Sequence, residues 1–261
     1  MKEERTISDV FGIKPFGEAT LQLTKASIDG VTSFLNIVFK PGLEELGYMF
    51  RDKVRLWRLN NIMRVLDKAR GRMCFDGQEL NLCANPRVGL SIMECGSEVD
   101  DDELQELWAG LFVSSCTPDG RDDSNMNFVD LLRRMSLVEA KILDYACTNC
   151  GKRLFPNKLI LAEDLSIQFD QLVKITGTDD LYRLDSELDH MRSIELLVPT
   201  HLLGNGGGFT ACDNLDADIT PSALALNLYY RTHSTRIDPK DFWGDQLKPY
   251  NPKATSDSKT N

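Results

Sequence analysis

The stretch Asp100–Cys150 (DDDELQELWAGLFVSSC, a polar turn, then NMNFVDLLRRMSLVEAKILDYACTNC) constrains the fold more than any other part of this chain. A side-chain oxygen that accepts from a backbone N–H three residues on fixes where a helix begins. Asp100 with Glu103 has that spacing, and its carboxylates suit the positive end of a helix dipole. Leu104, Leu107, Trp108, Leu111 and Phe112 follow as a stripe of helical period. After the loop Thr117–Ser124, Phe128, Leu131 and Leu132 mark a short helix ending near Met135. Ser136-Leu-Val-Glu139 is a cleaner capping box, behind which Ala140, Leu143 and Ala146 face inward. Three consecutive helices predict a mainly α protein.

Helices are predicted over Glu18–Ala26 and from Ile28 to Phe39, where Pro41-Gly42 breaks the pattern. A long charged helix is expected from Leu43 to Arg70, ended by Gly71, with Phe50, Val54, Trp57, Leu59, Ile62, Met63 and Leu66 inside. Asn85-Pro86 opens a helix to Cys95. Further on, Leu159–Thr176 and Thr178–Ile194 read as helices, the second with Asp179 and Asp180 in its first turn. Leu196–Val198, His201–Leu203 and Phe209–Cys212 read as short strands about the Gly204–Gly208 turn, and Thr220-Pro221 as a helix start running to Arg231. The order of helices, hairpin and helix is that of a winged-helix-like module. The expected architecture is therefore a helical N-terminal part with a winged-helix-like C-terminal module containing a small β-hairpin. The divisions are a flexible N-terminus over 1–15, a helical domain with the long basic helix over 16–120, the winged-helix-like module over 121–236 and a disordered tail over 237–261.

Composition narrows the class. A chain of 261 residues, 42% of them hydrophobic, is long enough to bury a sizeable core. No apolar run reaches the roughly 20 residues of a membrane-spanning helix, and MKEERTISD lacks the basic-then-apolar order of a signal peptide. A cytoplasmic protein is expected. Seven cysteines, an odd number lying mostly in apolar helical patterns, fit reduced buried thiols. Charge is uneven: residues 1–75 carry 13 Lys/Arg against 9 Asp/Glu, 76–150 carry 5 against 15, and 151–261 carry 12 against 16. Any nucleic-acid contact would fall to the first segment.

The string DDELQELWAGLFVSSC followed by NFVDLLRRMSLVEAKILDY resembles the signature of the abortive infection alpha (Abi-alpha) proteins. That family pairs an acidic "LQELWA-LL" helix with an "F-x-x-x-L-x-x-L-S-x-x-E-A-x-I-L" helix pair. ELGYMFRDKVRLWRLNNIMRVLDKA is similar to its long charged helix, and Leu181–Leu197 to a later leucine-rich one. The similarity covers roughly residues 17–235 and consists of distributed pattern rather than a catalytic string. It implies a soluble helical protein that helps abort phage infection, and it brings no catalytic residues or cofactor. The Cys147-x-x-Cys150 pair and the acidic character of the winged segment depart from it.

Candidate sites are few. From Arg51 onward in and just beyond the long helix, Arg51, Lys53, Arg55, Arg58, Arg64 and Lys68, with Arg70 and Arg72, stand against only Asp52 and Asp67. Such a face suits nucleic acid or an anionic membrane surface. Its plainer explanation is a solvated face, or one pairing with the acidic Asp100–Glu106 cap of a neighbouring helix in this or another subunit. The winged segment is a poor DNA reader, because Ser193–Tyr230 contains no Lys or Arg and Asp213, Asp216 and Asp218 follow the hairpin. Cys147 and Cys150 could form half of a zinc site, but Cys212, His190 and His201 are scattered singles. Pro118-Asp119 with Glu139-Ala-Lys141 matches a loose metal-dependent nuclease pattern, in which Glu139 has a capping role to fill instead. Gly204–Gly208 lacks the following Lys-Ser/Thr of a phosphate loop. Ile28–Met49 has the apolar face of a membrane-active element, interrupted by Pro41-Gly42. The expected function is non-enzymatic phage defence through another protein, a second copy of the chain or an anionic surface. A nucleic-acid-binding regulator, a membrane-active effector and a divergent nuclease are the alternatives.

Overall fold

The computed structural model describes residues 30–31, 34, 55–73, 82–199, 215–234 and 237–250. It is mainly helical, with several very short strands. The predicted helix Glu18–Ala26, most of Ile28–Phe39 and the start of the long helix lie outside the described residues. Gly30, Val31 and Phe34 are helical. Among the described residues no helix is long and apolar enough to cross a membrane. Two compact units emerge, Met1–Arg134 with Arg231–Arg236 and Met135–Tyr230 with Ile237–Asn261.

Unit 1 is built on the packing of α1 (Arg55–Met73) against α3 (Asp102–Ser115), with α2 (Pro86–Gly96) and α4 (Met126–Arg134) beside them. Leu59, Ile62, Met63, Val65, Leu66 and Ala69 of α1 are buried, but Trp57, expected in the same stripe, is 44% exposed. The helix also passes through Gly71 instead of ending there. An exposed helical glycine costs only about 1 kcal/mol, and Arg72 beyond it is anchored by Glu106 and the Thr232 carbonyl. Asn85 caps α2 through Arg87 N, with Pro86 at the first position as its sequence implies. The cap of α3 is Asp101 rather than Asp100, accepting from Glu103 N and Leu104 N at 2.9 and 3.1 Å. From Leu107 to Ser115 every residue of α3 is buried, which makes it the central helix of its unit. Strands β1 (Cys83–Ala84) and β2 (Cys116–Thr117) pair antiparallel at its far end.

In unit 2 the capping box of α5 (Leu137–Asn149) forms as the sequence predicts, with Ser136 Oγ and the Glu139 carboxylate each accepting from the other's backbone N–H. Next, the predicted helix over Leu159–Thr176 is replaced by β4 (Ile160–Ala162), β5 (Ser166–Gln168) and the shorter α6 (Phe169–Thr176). A tight turn through Pro156-Asn157 folds β3 (Lys152–Leu154) onto β4, so the leucines that mimic a helical run belong to a hairpin. Helix α7 (Leu181–Ser193) begins at Leu181 behind the Asp180 cap, three residues after the predicted start at Thr178. Pro221 bridges Leu197 and Thr220 Oγ1 is held by Leu165 N and Asp218, so neither opens a helix; α8 (Ala223–His233) begins after Ser222. Its last turn, from Arg231, is grouped with unit 1.

The hairpin predicted over 196–212 lies outside the described residues beyond Pro199, as does the glycine run. The described elements therefore do not establish a winged helix. Residues from Asp238 on, read above as tail, form α9 (Pro239–Trp243), a 3-10 turn (Gly244–Gln246) and β7 (Leu247–Pro249). Strand β7 lies parallel to β3, giving the order β4-β3-β7, while β5 pairs with β6 (Asp216–Asp218). Their apolar content explains the difference: Trp243 is buried and stacks on Tyr229 with centroids 5.6 Å apart.

Candidate functional site

The basic helix and the acidic cap meet inside unit 1. Lys68 Nζ lies 2.8 Å from Asp102 and 2.5 Å from Glu106, and Arg72 Nη2 lies 2.6 Å from the second Glu106 oxygen. Arg58 donates to Ser97 Oγ at 2.8 Å and the Glu94 carbonyl at 3.2 Å, with Glu98 at 3.6 Å. Arg70 pairs with Asp67 on its own helix, and Arg64 is half-buried. Arg51 and Lys53 and the side chain of Arg55 lie outside what is described. The helix thus delivers Arg58, Lys68 and Arg72 to the helix beside it, where they tie α1 to α2 and α3.

Burial raises the Glu106 carboxyl's affinity for a proton, but the hydrogen bonds and charges of Lys68 and Arg72 outweigh it and hold the group below the ordinary value. Lys68 is held above its ordinary value, since the bonds to Asp102 and Glu106 outweigh its burial. A carboxylate depressed in the folded state stabilises above its unfolded value and loses that contribution as pH falls through the folded one. We therefore expect urea-unfolding stability to fall as pH drops below the ordinary glutamate value of 4.5, and to fall less steeply in Lys68→Met. Equal slopes would show the network to be energetically idle.

The Cys147 and Cys150 thiols are both free and buried, and burial pushes both up, Lys152 opposing the shift. Among the described residues no group of three or more Cys, His, Asp or Glu could hold a metal. Lys152, unremarked in the sequence, is fully buried at the start of β3. Its Nζ donates to the Cys150 carbonyl at 3.1 Å and to Gln246 Oε1 at 2.7 Å, and sits 4.3 Å from the Trp243 ring centroid. It is a fastener between the end of α5 and the chain's last described segment.

Glu139 is completely buried. One oxygen accepts from Ser136 N at 2.8 Å and the other faces His190 Nδ1 at 2.5 Å, while Ser136 Oγ donates to Glu187. Burial raises this carboxyl, and the Ser136 and His190 contacts only partly offset it. The two carboxylates of the nuclease pattern each have local partners. Glu139 is committed to its cap and its histidine within unit 2, and Asp119 is bonded within its own exposed unit 1 loop to Thr117 Oγ1 and Arg121 N. His190 was missed as a partner because nothing local connects positions 139 and 190.

The family model described as abortive infection alpha matches residues 61–205, from the middle of α1 through α7. No curated protein and no solved structure matches the chain.

Proposed function

Because the chain belongs to the abortive infection alpha family, we propose that it protects bacterial cells against phage by abortive infection. It acts in the cytoplasm, by contact rather than by chemistry of its own. The observation that carries this reading is the family match over 61–205, which includes the capped helices on which the sequence resemblance rests. The partner is another protein, a second copy of the chain or an anionic surface, met by the basic run Arg51, Lys53, Arg55, Arg58, Arg64 and Lys68. The pairs made by Arg58 and Lys68 support a division of labour in that run. Those two hold the helix in place, and the contact falls to its earlier residues.

Phage challenge of cells expressing the chain tests both levels of this reading. Fewer plaques at a low infection ratio and culture collapse at a high one are the expected outcome. An Arg51→Glu/Lys53→Glu/Arg55→Glu variant, folded and equally abundant, should lose protection by about tenfold or more, as expected when several charged contacts reverse sign. Full protection in that variant removes the basic run as the contact. No protection by the parent chain across a broad phage panel removes the defence role for this chain acting alone.

A further inference from the structure

Unit 2 carries a groove of about 670 Å³ between the β3–β4 turn and the segment that follows Asp238. That volume is in the range that holds a small ligand. Phe155 and Tyr250 line it and are stacked on one another, centroids 4.4 Å apart and planes 25° from parallel. Pro156, Pro239 and Pro249 stiffen its walls, so little ordering is needed to fill it. Two ammonium groups, Lys158 and Lys240, also line it.

The charges of both lysines are uncommitted among the described residues of the unit, and Lys158 is also held in an uncommon backbone conformation. Among the described residues neither makes an ion pair, whereas Arg153 and Lys248 on the same sheet share Glu163. Lys158 also sits at φ 69°, in the turn where Phe155 N bonds the Leu159 carbonyl and Lys158 N bonds the Phe155 carbonyl, each at 2.9 Å. A non-glycine residue there is strained, and glycine or asparagine would hold the turn more easily. Strain kept at the rim of a groove points to what the side chain does. Asp238, the acidic member of the lining, has Oδ1 bonded to Lys240 N at 2.8 Å as the cap of α9.

We propose that this groove binds a small anion carrying a planar ring, of the nucleotide class, with the ring on the Phe155–Tyr250 stack and its phosphate between Lys158 and Lys240. Stacking on an aromatic platform accepts any base, and paired cations select phosphate over a neutral ring. The inference stands apart from the defence reading, since the segment from Asp238 that forms one wall lies beyond the family match.

Isothermal titration of the full chain with each ribonucleoside 5′-monophosphate, with the matching nucleosides and with inorganic phosphate tests it. At least one monophosphate is expected to bind with a sub-millimolar Kd, at least about tenfold more tightly than its nucleoside or phosphate alone. Lys158→Gly, which relieves the turn, and Lys240→Ser should each weaken it by about tenfold, the size of one charge-assisted hydrogen bond. Tyr250→Leu should weaken monophosphate and nucleoside alike. No monophosphate bound at millimolar concentration, or binding untouched by all three variants, overturns the proposal. Preference for an oligothymidine or a glutamate-rich peptide over every monophosphate also overturns it, in favour of a macromolecular partner.

Discussion

Gly110→Ala should cost unit 1 about 3 kcal/mol or more, the upper end for forcing extra atoms into a packed interior, although alanine is the better helix former. A Cβ at Gly110 would stand 1.6 Å from the Thr232 carbonyl oxygen and 2.3 Å from Arg72 Nη1. Both are fixed: Thr232 is 1% exposed, and its carbonyl accepts from Arg72 at 2.8 Å. The chain at Thr232 must then lift off α3, and Arg72 loses the contact that extends α1 past Gly71. At Gly71 an added Cβ meets nothing within 4 Å, so Gly71→Ala should instead stabilise by up to about 1 kcal/mol through helix propensity alone. Urea unfolding followed by tryptophan fluorescence separates the two, since Trp108 reports on unit 1 and can be kept as the sole tryptophan. Equal effects of the two alanines would mean that the close approach at Gly110 does not exist.

Those two glycines also show where sequence reading reaches its end. Both sit in helices, and nothing within a turn of either separates them; what does is a carbonyl more than a hundred positions away. Local chemistry, in contrast, was legible. Asn85-Pro86 and Ser136 through Glu139 mark helix starts because a cap bonds within three residues. The shift from Asp100 to Asp101 is the slack expected when three carboxylates stand in a row. The stretch from 159 to 168 reads as helix because strands of three residues have no room to alternate, and Leu159-Ile-Leu-Ala suits a helix equally well. Strand β7 could not be foreseen, since it gains its order from β3 far back in the chain.

The candidate site divides along the same line. A basic helix facing an acidic cap follows from charge counting, and Lys68 and Arg72 realise it. The Glu139–His190 contact, the burial of Lys152 and the groove beside Tyr250 each join positions from distant stretches, and no motif announces them. A family resemblance built from caps and leucine spacing therefore transmits the scaffold well and its contacts poorly.

Lys152 provides the second large effect. Burying an ammonium is strongly unfavourable unless other groups replace its water, and among the described residues no carboxylate pairs with it. Its compensation is two carbonyl-type acceptors and the face of Trp243. The four-carbon stem adds apolar contact of its own. Lys152→Ala removes stem and charge together and should cost unit 2 about 3 kcal/mol, as for a large buried side chain cut to alanine. Lys152→Met keeps most of the stem and sheds the desolvation penalty, and Gln246, which is exposed, can turn its amide to water. That variant should stay within about 1 kcal/mol of the parent, as buried charges replaced by apolar residues of similar volume often do. With Trp243 as the sole tryptophan, its fluorescence during urea unfolding reads both. If methionine costs as much as alanine, the charge and its bonds hold the last segment in place; if only alanine is costly, packing holds it. The latter is expected, because Trp243 and Tyr229 already anchor that segment through their rings.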